Sequence, residues 1–146
     1  METQHRMPAV LAATARLVGD RRGGVAIEFA FIIPIAILLT IGAVEVARAV
    51  SVQASINQAA KETVRFASVR GTASGAAATE AQLEAMAVQL ANLADASTSA
   101  AVTWSPDNSP GSVVTMDMQT TFSPVALPFG PSSYTFTSTA SMTIVR

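Results

Sequence analysis

From Val25 to Val44 the chain runs for twenty residues with a single charge, Glu28, and the sixteen from Phe29 to Val44 (FAFIIPIAILLTIGAV) carry none. An α-helix rises about 1.5 Å per residue, so twenty residues reach about 30 Å, the hydrocarbon thickness of a bilayer. A helix that is apolar on every side must be covered on every side. In a chain of 146 residues there is little else to wrap around it, so the run predicts a transmembrane helix over 24–44, in contact with lipid or partner helices. The uncharged run is longer than the h-region of a secretory signal, about 7 to 15 residues, and no small-x-small site with a polar boundary follows it. The expected outcome is a retained anchor.

The flanking charges set an expected orientation. Arg6, Arg16, Arg21 and Arg22 precede the run against Glu2 and Asp20, whereas residues 71–145 hold Glu80, Glu84, Asp95, Asp107 and Asp117 and no Lys or Arg. Basic flanks stay on the cytoplasmic side. The sequence therefore divides into a cytoplasmic basic leader at 1–23, the span at 24–44, and an extracytoplasmic domain at 45–146. In a Gram-negative bacterium this is a single-pass inner-membrane protein with a periplasmic C-terminal domain.

Several function classes are poorly served by this composition. There is no cysteine and one histidine, His5, near a terminus, so thiolate metal sites, disulfides and imidazole chemistry lack their residues. The acids of the outer domain are scattered singly and no nucleophile has an adjacent base, which argues against an enzyme. No catalytic, cofactor-binding or metal-ligating residue is assigned, and no cofactor is expected. Five basic residues after position 23 and a net charge of −1 provide no footprint for nucleic acid.

Beyond the span the hydrophobic period stays helical and then changes. Glu45 to Arg70 contains no Pro or Gly, and Val46, Ala49, Val50, Ile56, Ala60, Val64 and Ala67 recur at mostly helical spacing. This predicts one helix from about Glu28 to Val69, about 60 Å long, stopping before Gly71. Its polar side offers the i,i+3 pairs Glu45/Arg48 and Glu62/Arg65. A second helix is announced by a capping box, Thr79 with Gln82, by Glu80 and Glu84 near its positive end, and by an apolar stripe of Leu83, Met86, Leu90 and Leu93; Asp95 to Ser99 would end it. From Ala100 the period is two: Val102 and Trp104, then Val114, Met116, Met118 and Phe122, then Tyr134, Phe136, Ala140, Met142 and Ile144, each alternating with polar residues. Pro106 to Gly111 supplies one turn, and Pro124, Pro128, Gly130 and Pro131 interrupt the chain before the last strand. The expected fold is α+β: a long N-terminal helix, a second helix, and a small antiparallel sheet of about three strands.

The chemistry concentrates at the start of the span. An acid at the centre of a membrane helix costs roughly 2.5 to 3.5 kcal/mol, so Glu28 needs a partner or a shallow position. The local string is Arg21-Arg22-Gly23-Gly24-Val25-Ala26-Ile27-Glu28-Phe29. Cleavage after Gly23 would create a positive α-amine at Gly24, able to neutralise Glu28 of its own chain or of a neighbour and to help set axial register between subunits. On the residues alone this stands beside a plainer reading, in which Glu28 sits among headgroups and the glycines are merely flexible. Pro34, inside the run, removes one backbone hydrogen bond; it is a candidate kink, serving packing or local unwinding when a subunit leaves the bilayer.

Gly23, the acid four residues past Gly24, Phe29 and the apolar helix together resemble the class III signal of type IVb prepilins. The longer stretch GVAIEFAFIIPIAILLTIGAVEVARAVSVQASINQAAKETVRFAS is similar to the N-terminal region of TadE-like minor pilins or pseudopilins of tight-adherence (Tad, Flp) pilus systems, including a proline in the run and Gly42 three residues before Glu45. The LPFG segment and the last Ser/Thr-alternating strand also fit. The resemblance implies cleavage between Gly23 and Gly24 by a prepilin peptidase, with Glu28 and Phe29 used in processing or assembly. It further implies partners among inner-membrane lipid, other pilins or pseudopilins and the Tad assembly platform, in building an adhesive pilus. Gly24 departs from the larger residue or alanine common at the first mature position, which leaves open a cut shifted by one. The competing reading is an unprocessed, membrane-anchored module for protein contacts.

Overall fold

The computed structural model describes residues 22–93, 97–125 and 132–145. Helix α1 (Arg22–Ser68) is one unbroken element of 47 residues. It begins about six residues earlier than the hydrophobic pattern implies and ends within one residue of the expected stop. A 3₁₀ turn (Thr72–Ser74) and helix α2 (Glu80–Ala91) follow, then strands β1 (Ser97–Ser105), β2 (Val113–Phe122) and β3 (Tyr134–Thr143). The strands form one antiparallel sheet in the order β1-β2-β3. This is the α+β architecture expected from the change of hydrophobic period. The basic leader through Arg21, Asp95, and the LPFG stretch with Pro128, Gly130 and Pro131 lie outside the described residues.

The chain divides into two units, one ending at Thr40 and the other starting at Ile41. In the first, the described residues are all helix, and the large apolar side chains from Val25 to Leu39 are about half exposed or more. No core forms there, because a single helix has nothing to fold against.

The second unit has a core. Ile56, Ala59, Ala60, Val64 and Ala67 of α1 join Leu83, Ala87 and Ala91 of α2 and Val102, Val114, Met116 and Met118 of the sheet in one buried cluster. On α1 these positions step by three and four, which is the repeat that keeps one face of a helix turned to a partner. Thr63 also lies on that face, fully buried, with its hydroxyl donating to the Ala59 carbonyl at 2.8 Å. The sheet register stacks even-numbered residues on the inner face: Val102 opposite Met116, and Met116 opposite Ala140. The odd-numbered face is almost all Ser, Thr, Gln and Asp, the arrangement of a sheet with one dry and one wet side.

The end of the chain pins the end of α1. The Val145 amide donates to the Ser68 carbonyl at 2.7 Å, satisfying one of the acceptors a helix C-terminus leaves open. Ile144, 1% exposed, exchanges backbone bonds with the β1–β2 loop through Ser112 and Gly111. Gly111 has φ +94°, which favours a residue without Cβ. Asp107 organises the same loop, accepting from the Ser109 amide at 3.0 Å, the Ser109 hydroxyl, and the Ser112 hydroxyl at 2.9 Å. The Ser109 hydroxyl, then the Ser112 hydroxyl and the Ser109 amide, hold its carboxyl below the usual carboxylate range.

The capping box at α2 is present as expected: the Gln82 amide donates to Thr79 Oγ1 and the Thr79 amide to Gln82 Oε1, both at 3.3 Å. The buried face is different. Leu83, Ala87 and Ala91 point inward, Met86 and Leu93 are half-buried and Leu90 is exposed. The helix packs against β1 with its face centred near Ala87, about 60° around the helix from Leu90; close approach to the sheet favours the alanines over the larger leucine. Among the described residues the one side-chain ion pair is Glu45–Arg48, so Glu62/Arg65 does not pair. Tyr134 and Met142 follow the expected alternation of β3 but remain about 40% exposed near its ends.

Candidate span and processing site

Gly23 and Gly24 occupy the first turn of α1, and a Cβ added to either would meet nothing within 4 Å. Neither glycine is therefore explained by packing. Each costs about 0.8 to 1 kcal/mol relative to alanine in a helix interior, and the first turn has amides without intrahelical acceptors. This makes Gly23–Gly24 the part of the helix that opens at least cost. The Arg21 position of the local string is outside the described residues, and of Arg22 only the backbone is described.

Glu28 is exposed, and among the described residues it makes no ion pair or hydrogen bond. Its spacing from Gly24 is i,i+4, one helical turn, and helical side chains lean toward the N-terminus. Glu28 and Gly24 therefore share one face of the helix. Phe29 is 56% exposed beside it.

At Pro34 the helix continues without a break. Proline has no amide to offer the Ala30 carbonyl, so that acceptor is left without its i+4 donor. One turn and a half further on, Thr40 Oγ1 donates to the Ala36 carbonyl at 2.8 Å, a local bond that keeps the hydroxyl from facing an apolar medium unpaired.

Glu45 is the residue whose environment departs most from the sequence reading. It was expected on the solvated side of the helix, yet it is 5% exposed. Its carboxylate accepts from Arg48 Nη1 at 2.9 and 3.2 Å and from the Val125 amide at 3.2 Å. The Arg48 guanidinium lies 5.4 Å from the Phe122 ring centroid, and Phe122 and Phe136 stand 5.9 Å apart with a tilt of 32°. Eighteen residues make five turns, so Glu45 falls in line with the fully buried Thr63, although phase alone does not decide burial, since Val46 is in line with Val64 and remains exposed. Beside Glu45 a pocket of about 220 Å³ is lined by Val46, Ala49, Phe122, Pro124, Tyr134 and Phe136. Val46 and Val50, expected on the packed face, are each 63% exposed.

Among the described residues one helix, within Gly23–Ser68, holds a stretch long and apolar enough to cross a bilayer, with none of that stretch buried. Residues 23–65 match the family model described as TadE-like protein, a segment that runs from Gly23 through most of α1. No curated protein and no solved structure matches the chain.

Proposed function

We propose that this protein is a minor pilin or pseudopilin of a tight-adherence pilus. In this reading it is inserted with its N-terminus in the cytoplasm and its C-terminal unit in the periplasm, trimmed between Gly23 and Gly24 by a prepilin peptidase, and passed to pilus assembly. The observation that carries it is the placement of two unpacked glycines in the first turn of α1, one turn before the lone acid of its apolar run, inside the segment that matches the TadE-like model. A peptidase needs extended backbone at the bond it cuts, and glycines in a terminal turn lower the cost of unwinding it. Trimming leaves an ammonium at Gly24 and Glu28 one turn away, and pairing lowers the cost of holding that acid at the edge of the apolar layer. The same acid in a neighbouring chain is an equivalent partner, which gives assembly a fixed axial register.

The test is the intact mass of the membrane protein from cells with and without the peptidase. Loss of residues 1–23 only when the peptidase is present supports the proposal. A chain that keeps Met1 in both backgrounds, with function intact in Gly23→Asp, makes it an unprocessed anchor for protein contacts.

A further inference from the structure

We infer that the Glu45 end of the C-terminal unit is a lipid-docking surface, built to rest in the headgroup layer of a membrane with Val46, Val125 and Tyr134 inserted. The inference rests on the reading of 24–44 as a span, and adds to it a second, non-helical contact with the same bilayer.

The α1 face supplies the first observation. Val46 and Val64 are eighteen residues apart, as are Val50 and Ser68, so each pair lies on one line along the helix. Val64 and Ser68 are 2% and 3% exposed, whereas Val46 and Val50 are both 63% exposed. The stripe that is buried at one end of the unit is left exposed at the other. Val46 is two residues, about 3 Å of rise, past Val44, where the apolar run stops, so the uncovered end lies at the level where the hydrocarbon layer would give way to headgroups.

The second observation is Val125. Its amide is held by the buried carboxylate of Glu45, while its side chain is 81% exposed. A loop whose backbone is clamped and whose valine projects outward presents apolar area with little ordering cost on docking. Tyr134, 40% exposed, lines the pocket beside Glu45 and Val46, and a tyrosine with an apolar body and polar tip suits the membrane–water boundary. The charges here cancel: Arg48 is paired with Glu45. Docking is therefore driven by apolar area, and it is expected in zwitterionic lipid without anionic headgroups.

The chain has no cysteine, so single spin labels report one site at a time. Full-length protein carrying V125C or Y134C is placed in phosphatidylcholine nanodiscs, with I35C marking the span and T103C the polar sheet face. The accessibility of each label to oxygen and to a nickel chelate is then measured. The expected result is that V125C and Y134C share the high-oxygen, low-nickel signature of I35C, with nickel relaxation several-fold below that of T103C. High nickel accessibility at V125C and Y134C with a lipid signature retained at I35C overturns the docking surface and leaves the span standing; an aqueous signature at I35C as well overturns both. Labels shielded from both reagents mean that protein covers the patch, from a second copy or from residues 126–131, and this too overturns the inference.

Discussion

Glu45 shows how one side chain acquires a role from its surroundings. Its carboxylate, 5% exposed, has Arg48 and the Val125 amide as hydrogen-bond partners. The two partners are not symmetric: Arg48 is 40% exposed and can reach water, Glu45 cannot. Arg48→Met strands a buried charge, while Glu45→Gln keeps an acceptor for the Val125 amide. Thermal unfolding of the full chain in micelles should therefore show Arg48→Met less stable than Glu45→Gln, each losing about 1 to 3 kcal/mol. The reverse order would mean that the carboxylate is not held as described. Asp107 adds a pH dependence with a definite sign. Its folded pKa lies below the ordinary carboxylate value, so its contribution is complete above that ordinary value and is lost as pH falls through it toward the lower folded one. Urea midpoints measured from pH 5 down to pH 3 should fall less steeply in Asp107→Asn than in the parent chain.

Among the elements, α2 is short enough to depend on its cap. Thr79→Ala removes the acceptor for the Gln82 amide and should cost about 1 kcal/mol in a urea titration. At the inner face Ala87 is fully buried, and Ala87→Leu should cost about 1 to 3 kcal/mol by overpacking, whereas Leu90→Ala, on an exposed position, should cost far less. The original stripe of Leu83, Met86, Leu90 and Leu93 would demand the opposite ranking. Helix existence, the capping box and the three strands were legible because each depends on neighbouring residues. The rotation of α2 was not, because it follows from how closely the helix approaches β1. In α1, Pro34 sits within an unbroken helix; unchanged membrane release and piliation in Pro34→Ala would leave it a packing feature and set aside local unwinding.

For the whole molecule the proposed topology makes a prediction at the C-terminal unit. Val145 is 68% exposed and next to the pinned end of α1, so V145C should react with a membrane-impermeant maleimide applied to spheroplasts. Labelling only after the inner membrane is broken would reverse the proposed orientation and remove the basis for cytoplasmic cleavage at Gly23. The residues of the proposed processing site, Gly23, Gly24, Glu28 and Phe29, are neighbours in the chain, so their spacing is a matter of count. The Glu45 site was only half legible. Arg48 is three residues away, but Val125, Phe122, Pro124 and Tyr134 come from distant strands and loops, and no local pattern announces which helix face they cover.

The amino-acid order alone determined that the chain carries an uncovered apolar helix, a capped second helix and a two-period sheet, because each is a response of backbone and solvent to local spacing. Tertiary structure decided which polar groups are buried and which apolar ones are left out. That outcome depends on what packs onto each part of α1: Thr63 and Val64 are buried, while Val46, in line with Val64, stays 63% exposed at the rim of a pocket it shares with Phe122, Tyr134 and Phe136. Burial belongs to pairs of surfaces rather than to residues, so it is settled only when the second surface is in place.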